Sequence, residues 1–446
     1  MNSIARSLWA MGISVLSLVF YAWWNPILVL VPIYLIIVGI FFSKLISMEK
    51  SRIIPLLVGG LMLFAPLVFF KYSKFLFENL SVLVSLPLDF SSFPTEIPIG
   101  ISFITFSLYS MLHDTKSGKF DFAAYRFDQI SAYVLIFPQL IAGPIIRPNE
   151  LVPQIKEGKK KIIISKGSIF LFMVGVIKKI LIADPIGVFV DASFSNYSNL
   201  SSFDLMLMIY AFSLQIYFDF SAYADMAIAL GLMLGFKFPD NFDSPYTALS
   251  LVDFWRRWHI TLSRWLRDYL YIPLGGNQCS NHRKYSNIVI TMLLGGLWHG
   301  ANWTFVVWGI LHGVLISFTH LFIDTVTKRN SSTKEYSPVV QFLSMFVTFN
   351  LVSILWVFFR APDLNIALDI FKYIYTDFRY AFLTILSAVP CYGIFVRIHK
   401  LDKTQLLLKV GSGLSYHFLL PLVISMLLLA ITLGVTSSAK FIYFDF

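Results

Sequence analysis

DFWRRWHITLSRWLRDYLYIPLGG (Asp253–Gly276), followed by TMLLGGLWHGANW (Thr291–Trp303), is the stretch on which the reading of this chain turns. It holds two histidines, His259 and His299, in a mixture of charge, tryptophan and glycine that an ordinary membrane span does not have. Stepped at about 100° per residue, the first part reads as one amphipathic helix. Trp255, Leu262, Ser263 and Leu266 fall on the side of His259, whereas Asp253, Arg256, Arg257, Arg264, Arg267 and Asp268 gather on the other flank. A helix with such a basic face lies at a membrane interface rather than crossing it. His259 sits on the apolar side near Arg256, so it is expected to face protein or lipid, not bulk water. The helix should stop near Ile272-Pro273-Leu274-Gly275-Gly276, where proline disfavours helix at the residue before it and paired glycine frees the backbone. In the second part, the apolar run Ile288–Trp298 is interrupted by Gly295-Gly296 just before Trp298-His299-Gly300. Glycines around a histidine predict close backbone approach or a local break. Broken backbone at membrane depth is tolerated only where it is buried in protein or lines a cavity. An ionisable side chain there is a functional-site hypothesis by default.

The chain is 57% hydrophobic and 17% aromatic, with 13% charged residues, against about a quarter charged in soluble proteins. These proportions identify an integral membrane protein. Continuous rather than alternating apolar runs select helices over a barrel. The net charge of +10 would suggest nucleic acid in a soluble protein; here Lys and Arg gather in loops beside spans, as the positive-inside rule expects. Cys279 and Cys391 are far apart and lack metal-ligand spacing, so neither a disulfide framework nor a metal site is expected. The apolar run Leu8–Trp23 has no small-residue cleavage site after it and is expected to be retained rather than removed as a signal.

Runs of membrane length occur near 8–23, 27–46, 53–70, 129–146, 165–183, 203–219, 303–323, 339–359, 379–397 and 416–436. Shorter or interrupted ones lie near 75–88, 97–113, 223–236, 251–272 and 286–299. With no repeat and no linker, the expectation is one membrane domain over 1–446. The basic stretches Lys156–Lys166 and Lys328–Lys334 are cytoplasmic landmarks, and Arg6, Lys44, Lys50 and Arg52 favour a cytoplasmic N-terminus with a short outer turn at Asn25-Pro26. Lys178-Lys179, at the end of a span, is expected to snorkel to the interface. Asp219 and Asp225 either make structural hydrogen bonds or line a polar path. His312 is read as a satisfied core histidine, and His113, His282, His320, His399 and His417 as ordinary residues near loops or span ends.

Tyr223–Gly235, Phe238-Pro239-Asp240-Asn241-Phe242, Ser244-Pro245-Tyr246, Asp253–Gly276 and Thr291–Trp303 resemble the signature of the membrane-bound O-acyltransferase family. The similarity is strongest to its bacterial branch of alginate and peptidoglycan O-acetyltransferases. It extends through Ile97–Phe106, Phe137–Arg147 and Gly175–Asp184 to the terminal Phe441–Phe446, with a signature core at about 223–313. The resemblance implies an all-α polytopic fold of about 10–12 transmembrane helices, with re-entrant or interfacial helices around a central cavity. It implies that His299, in the Trp-His-Gly position, is catalytic, and that His259 is the second histidine of the site. Trp298, Asp253, Arg256 and Ser263 are candidate substrate-binding residues. Family members usually carry roughly one more apolar helix before Phe20–Trp24, and Gln278-Cys279-Ser280-Asn281 replaces a loop that usually contains Arg and Gly.

Acyl transfer from a thioester to a hydroxyl needs a base for the proton and a means of holding the oxyanion. An imidazole suits the first task. The expected reaction therefore has His299 as base, His259 orienting or protonating, and, by resemblance, a cytoplasmic thioester donor such as acetyl-CoA with no bound cofactor. The resemblance also implies location in the bacterial cytoplasmic membrane, and an exported polysaccharide acceptor reached with a separate periplasmic acetyltransferase. Two rivals stand beside this expectation. One is transfer of D-alanine from a carrier protein toward teichoic acid; the other is a transporter without chemistry, for which inverted repeats would be expected and none is evident. No Gly-x-Ser-x-Gly elbow is present to support a serine mechanism.

Overall fold

A computed structural model describes residues 3–49, 52–84, 94, 96–140, 143–158, 164–329, 337–376 and 378–434. Lys50, parts of the stretches Lys156–Lys166, Lys328–Lys334 and Phe137–Arg147, and the terminal Phe441–Phe446 lie outside the described residues. Among the described residues all regular structure is helical. Eight helices are long and apolar enough to cross a membrane: Ser7–Trp24, Leu30–Met48, Ile53–Val84, Ser202–Met233, Trp303–Leu321, Pro338–Arg360, Phe382–His399 and Tyr416–Leu433. Trp23, Leu61, Leu386, Phe418 and Ile431 are each more than half exposed. Exposed apolar side chains repeated along helices of membrane-spanning length are normal against lipid. The protein is an all-α polytopic membrane protein.

Two of the ten expected spans take another form. The run near 129–146 folds as Phe127–Leu135 and the single turn Phe137–Leu140, because Pro138 lacks the N–H that would continue the hydrogen-bond ladder. The run near 165–183 is helix from Lys166 to Ile177, widens to a π-helical turn over Lys178–Ala183, and continues as Asp184–Ser195. The segments near 75–88 and 223–236 begin inside the longer helices Ile53–Val84 and Ser202–Met233, which reach Val84 and Met233. The segment near 97–113 is a largely buried helix, Ile101–Lys116.

The chain packs as two compact units, residues 1–164 with 227–239, and residues 165–226 with 240–446. In the first, Asn25 Oδ1 accepts hydrogen bonds from the N–H groups of Ile27 and Leu28 at 3.0 and 3.1 Å. That closes the short turn between Ser3–Trp24 and Leu30–Met48, where the sequence placed it. Tyr133 Oη donates to the carbonyl of Ile146 at 2.9 Å, and Trp9 packs on Phe236 with ring centroids 5.4 Å apart.

The second unit contains both signature histidines. Its tightest helix pair is Asn281–His299 against Trp303–Arg329. A Cβ on Gly296 would lie 2.3 Å from the Phe305 carbonyl oxygen, and one on Gly309 would lie 2.4 Å from that of Met292. Gly296 therefore serves close backbone approach, while Gly295 lies against the Leu266 side chain. The helix runs through Gly295-Gly296 unbroken to His299.

Lys178 and Lys179 do not snorkel. Lys178 Nζ is 2.7 Å from Asp225 Oδ2 and 2.5 Å from Asp402 Oδ1, while Lys179 Nζ is 2.7 Å from Asp184 and 2.8 Å from Asp219. Thr404 Oγ1 and Tyr217 Oη donate to Asp225 and Asp402, each at 2.8 Å. The π-helical turn carries both lysines inward, and the aspartates of Ser202–Met233 take the structural role. Ions buried in this way stay charged only because their partners are in place.

Two substitutions and one control test this packing. Gly296→Ala should lower the apparent melting temperature in detergent, since overpacking costs about 1–3 kcal/mol. Gly12→Ala, which meets nothing within 4 Å, should leave it unchanged; equal melting temperatures for all three proteins would contradict the close approach. Lys178→Met strands Asp225 and Asp402, and removing one partner of a buried pair costs about 3–5 kcal/mol. A Lys178→Met protein as stable as wild type would refute the structural role of that cluster.

Candidate acyl-transfer site

The amphipathic stretch is not one helix. It forms Leu251–Arg257, breaks at Trp258-His259, resumes as Ile260–Leu266 and widens to a π-helical turn over Arg267–Tyr271. The break is made by a segment distant in sequence, Asn241–Asp243. Ile260 N–H, which a continuous helix would direct to residue 256, donates instead to the carbonyl of Asn241 at 2.9 Å, and the Arg257 carbonyl accepts from Asp243 N–H at 3.0 Å. Thr261 N–H and Oγ1–H donate to Asn241 Oδ1 at 3.3 and 2.9 Å. The backbone groups freed by the break are thus paired within the protein, as burial requires. The C-terminal stop falls after Tyr271, as expected from Pro273 and the paired glycines.

His259 sits at the break with φ 40° and ψ 56°. His259 and Ser244 are the two non-glycine residues at positive φ among the described residues. A left-handed conformation at such a side chain costs about 1–3 kcal/mol and persists only where the surroundings impose it. The imidazole is fully buried. It meets Phe220 edge-on with centroids 4.6 Å apart, and its Nδ1 is 3.1 Å from Asn241 Oδ1. Burial pushes its pKa well below the usual histidine range, so the ring is neutral.

His299 is the last residue of Asn281–His299 and is 3% exposed. Its ring is edge-on to Trp298, Trp308 and Phe359 at centroid distances of 4.9, 5.2 and 5.0 Å. The carbonyl end of a helix, where His299 stands, favours positive charge. Trp298 also touches His259, with centroids 6.1 Å apart. One indole therefore joins the two histidines, and the sum of its two distances bounds their separation.

Of the residues singled out in the sequence, the fold gathers His259, Trp298 and His299. Asp253 is engaged elsewhere: its carboxylate accepts from Leu249 N–H at 3.1 Å and pairs with Arg257 Nε at 2.8 Å. Arg256 is exposed. Ser263 Oγ donates to the carbonyl of Trp258 at 3.2 Å, so it supports the helix break. The residues that sequence reasoning left without a role are Asn241, Phe220, Trp308 and Phe359. Asn241 stood in the quoted Phe-Pro-Asp-Asn-Phe match, which is the signal that could have marked it. His312 is a core residue whose Nδ1 accepts from Trp255 Nε1–H at 3.2 Å. Its ring packs on Trp308 with centroids 4.7 Å apart. His399 is no ordinary span end: it is buried, its Nε2 accepts from Tyr246 N–H at 3.2 Å, and its carbonyl accepts from Ser244 Oγ at 2.9 Å.

His259 Nε2, Trp308 Nε1 and His312 Nε2 are buried with no hydrogen-bond partner among the described residues. Native proteins rarely leave such groups unsatisfied, so each calls for a specific explanation. An open groove of about 650 Å³ lies on the same helix pair, lined by residues including His282, Tyr285, Val289, Val314 and Phe318; neither His259 nor His299 lines it.

Residues 67–358 match the model of the membrane-bound O-acyltransferase family. The chain is 35% identical over 404 residues to a protein of Helicobacter pylori named peptidoglycan O-acetyltransferase, covering 83% of this chain and 74% of that one. It is 39% identical over 363 residues to a probable alginate O-acetylase, AlgI, of Azotobacter vinelandii, covering 79% and 69%. A teichoic acid D-alanyltransferase of Streptococcus thermophilus is 25% identical over 288 residues, covering 58% and 68%. The histidines, the indole that joins them and the polytopic helical frame thus stand in a chain whose family model and nearer relatives agree, and it belongs to the membrane-bound O-acyltransferase family as an acyltransferase.

Proposed function

We propose that this protein moves an acetyl group from a cytoplasmic thioester, acetyl-CoA, toward hydroxyls of an exported cell-envelope polysaccharide, with His299 as the general base. The observation that carries the reading is the joining of two buried histidines by the single indole of Trp298. In the proposed step the acceptor hydroxyl oxygen attacks the thioester carbonyl as His299 takes its proton. Collapse of the tetrahedral intermediate breaks the C–S bond, and the proton passes to the departing thiolate. Water exclusion by Trp298, Trp308 and Phe359 strengthens every electrostatic interaction inside the site. His259, neutral and fixed by its surroundings, orients the reacting groups, and Trp298 forms part of the substrate wall.

The polysaccharide acceptor is supported by the names of the peptidoglycan and alginate relatives. That reading places the protein in the bacterial cytoplasmic membrane, working with a periplasmic acetyltransferase that completes delivery. The D-alanyltransferase relatives are more distant, at 25–26% identity, which favours acetyl over D-alanyl transfer.

Purified protein in nanodiscs with labelled acetyl-CoA provides the test. Wild type should release or transfer label, and His299→Ala should lower that rate by about 10²–10⁴-fold, the range supplied by a positioned general base. Near wild-type turnover by a folded His299→Ala protein would remove His299 from the chemistry. Label transfer only from a D-alanyl carrier thioester, and none from acetyl-CoA, would overturn the donor.

A further inference from the structure

Asn241 holds the key to what His259 can do. A backbone N–H can only donate, and Thr261 N–H points at the Asn241 side-chain atom 3.3 Å away. That atom is therefore the amide oxygen, and the Thr261 hydroxyl at 2.9 Å donates to it as well. The same oxygen lies 3.1 Å from His259 Nδ1. An amide oxygen offers no hydrogen, so the proton of this contact must reside on Nδ1. The buried ring is neutral, and a neutral imidazole carries one proton; Nε2 is therefore left with its lone pair. His312 is fixed the opposite way. Its Nδ1 accepts from Trp255 Nε1–H at 3.2 Å, an indole N–H can only donate, and the proton of His312 lies on Nε2.

We infer that Asn241 is a positioning residue that locks His259 in the Nδ1–H tautomer and so presents Nε2 as a buried hydrogen-bond acceptor toward the acyl-transfer site. The second observation behind this is the state of that nitrogen. Nε2 is buried and has no hydrogen-bond partner among the described residues, while the ring that carries it packs on Trp298, the indole shared with His299. The chemical partner of such an atom is a donor: the hydroxyl of an acceptor substrate before reaction, or an imidazolium N–H once His299 has taken the proton. In this form His259 orients a hydroxyl by accepting from it, and it does not deliver a proton from Nε2. The left-handed backbone at His259 belongs to the same device, since Asn241 also binds the flanking Ile260 and Thr261 N–H groups and fixes where the ring begins. This deepens the acyl-transfer reading and rests on it for the identity of the donor group.

Nitrogen-15 NMR of histidine-labelled protein in lipid at neutral pH reads tautomers directly, with the signals of His259 and His312 assigned by their loss in His259→Gln and His312→Gln. His259 should show a protonated Nδ1 and a bare Nε2, and His312 the reverse. Asn241→Ala should release His259 into a mixture of tautomers and lower kcat about 10²-fold, the cost typical of a misplaced group, with KM for acetyl-CoA little changed. Thr261→Val removes the hydroxyl donor but spares the Asn241 oxygen. It should lower thermal stability while leaving the His259 signal as in wild type, which separates positioning from simple support of the helix break. A wild-type His259 protonated on Nε2 would overturn the proposal whether or not any variant folds. So would an unchanged Nδ1–H signal in a folded Asn241→Ala protein. The Nδ1–H signature in a wild type that transfers no acyl group would sustain the tautomer assignment and remove the acyl-transfer reading instead.

Discussion

An imidazole sealed from water can find hydrogen bonds only inside the protein, and the fold around His259 supplies one at Nδ1 while leaving Nε2 without a partner among the described residues. Buried polar groups left unpaired cost about 1–3 kcal/mol each. The segment Asn241–Asp243 satisfies several at once: it pairs with the backbone of Arg257, Ile260 and Thr261 and with the His259 ring. In doing so it interrupts the helical ladder and turns His259 into a left-handed conformation. The strain is held at His259 and is offset by the hydrogen bonds that create it.

Around this core the site is walled by aromatic rings. Phe220, Trp298, Trp308 and Phe359 meet the two histidines almost entirely edge-on. Such walls exclude water and lower the local dielectric. The same second unit carries its charge elsewhere, in the Lys178 and Lys179 clusters that tie the Lys166–Ser195 run to Ser202–Met233. The lysines of these clusters are each paired with two carboxylates, so their burial leaves no described ammonium uncompensated there.

Much of this was legible in the sequence. Continuous apolar runs gave the polytopic helical class, and Trp-His-Gly with Arg-Trp-His picked out the two histidines that the fold brings onto one indole. What periodicity hid was any effect arriving from far along the chain. A wheel drawn through 251–272 has no means of registering Asn241, which lies 18 residues before His259, so it returned one helix. Lys178 read as a span end because its partner Asp402 is more than two hundred residues away. The glycines before His299 announced tight packing correctly. Whether they broke the helix or pressed it against Trp303–Arg329 depended on a neighbour the local sequence does not name.

The central claim is that His259 and His299 act as one unit through the wall they share. The most direct measurement is a double-mutant cycle on acetyl release, comparing His259→Gln, His299→Ala and the combined variant in the same nanodiscs. Residues that act together lose most of their contribution when either is removed. The account predicts that the double variant is no slower than the slower single variant. Losses that simply multiply, with both singles folded, would mean that the two histidines work independently and would contradict it.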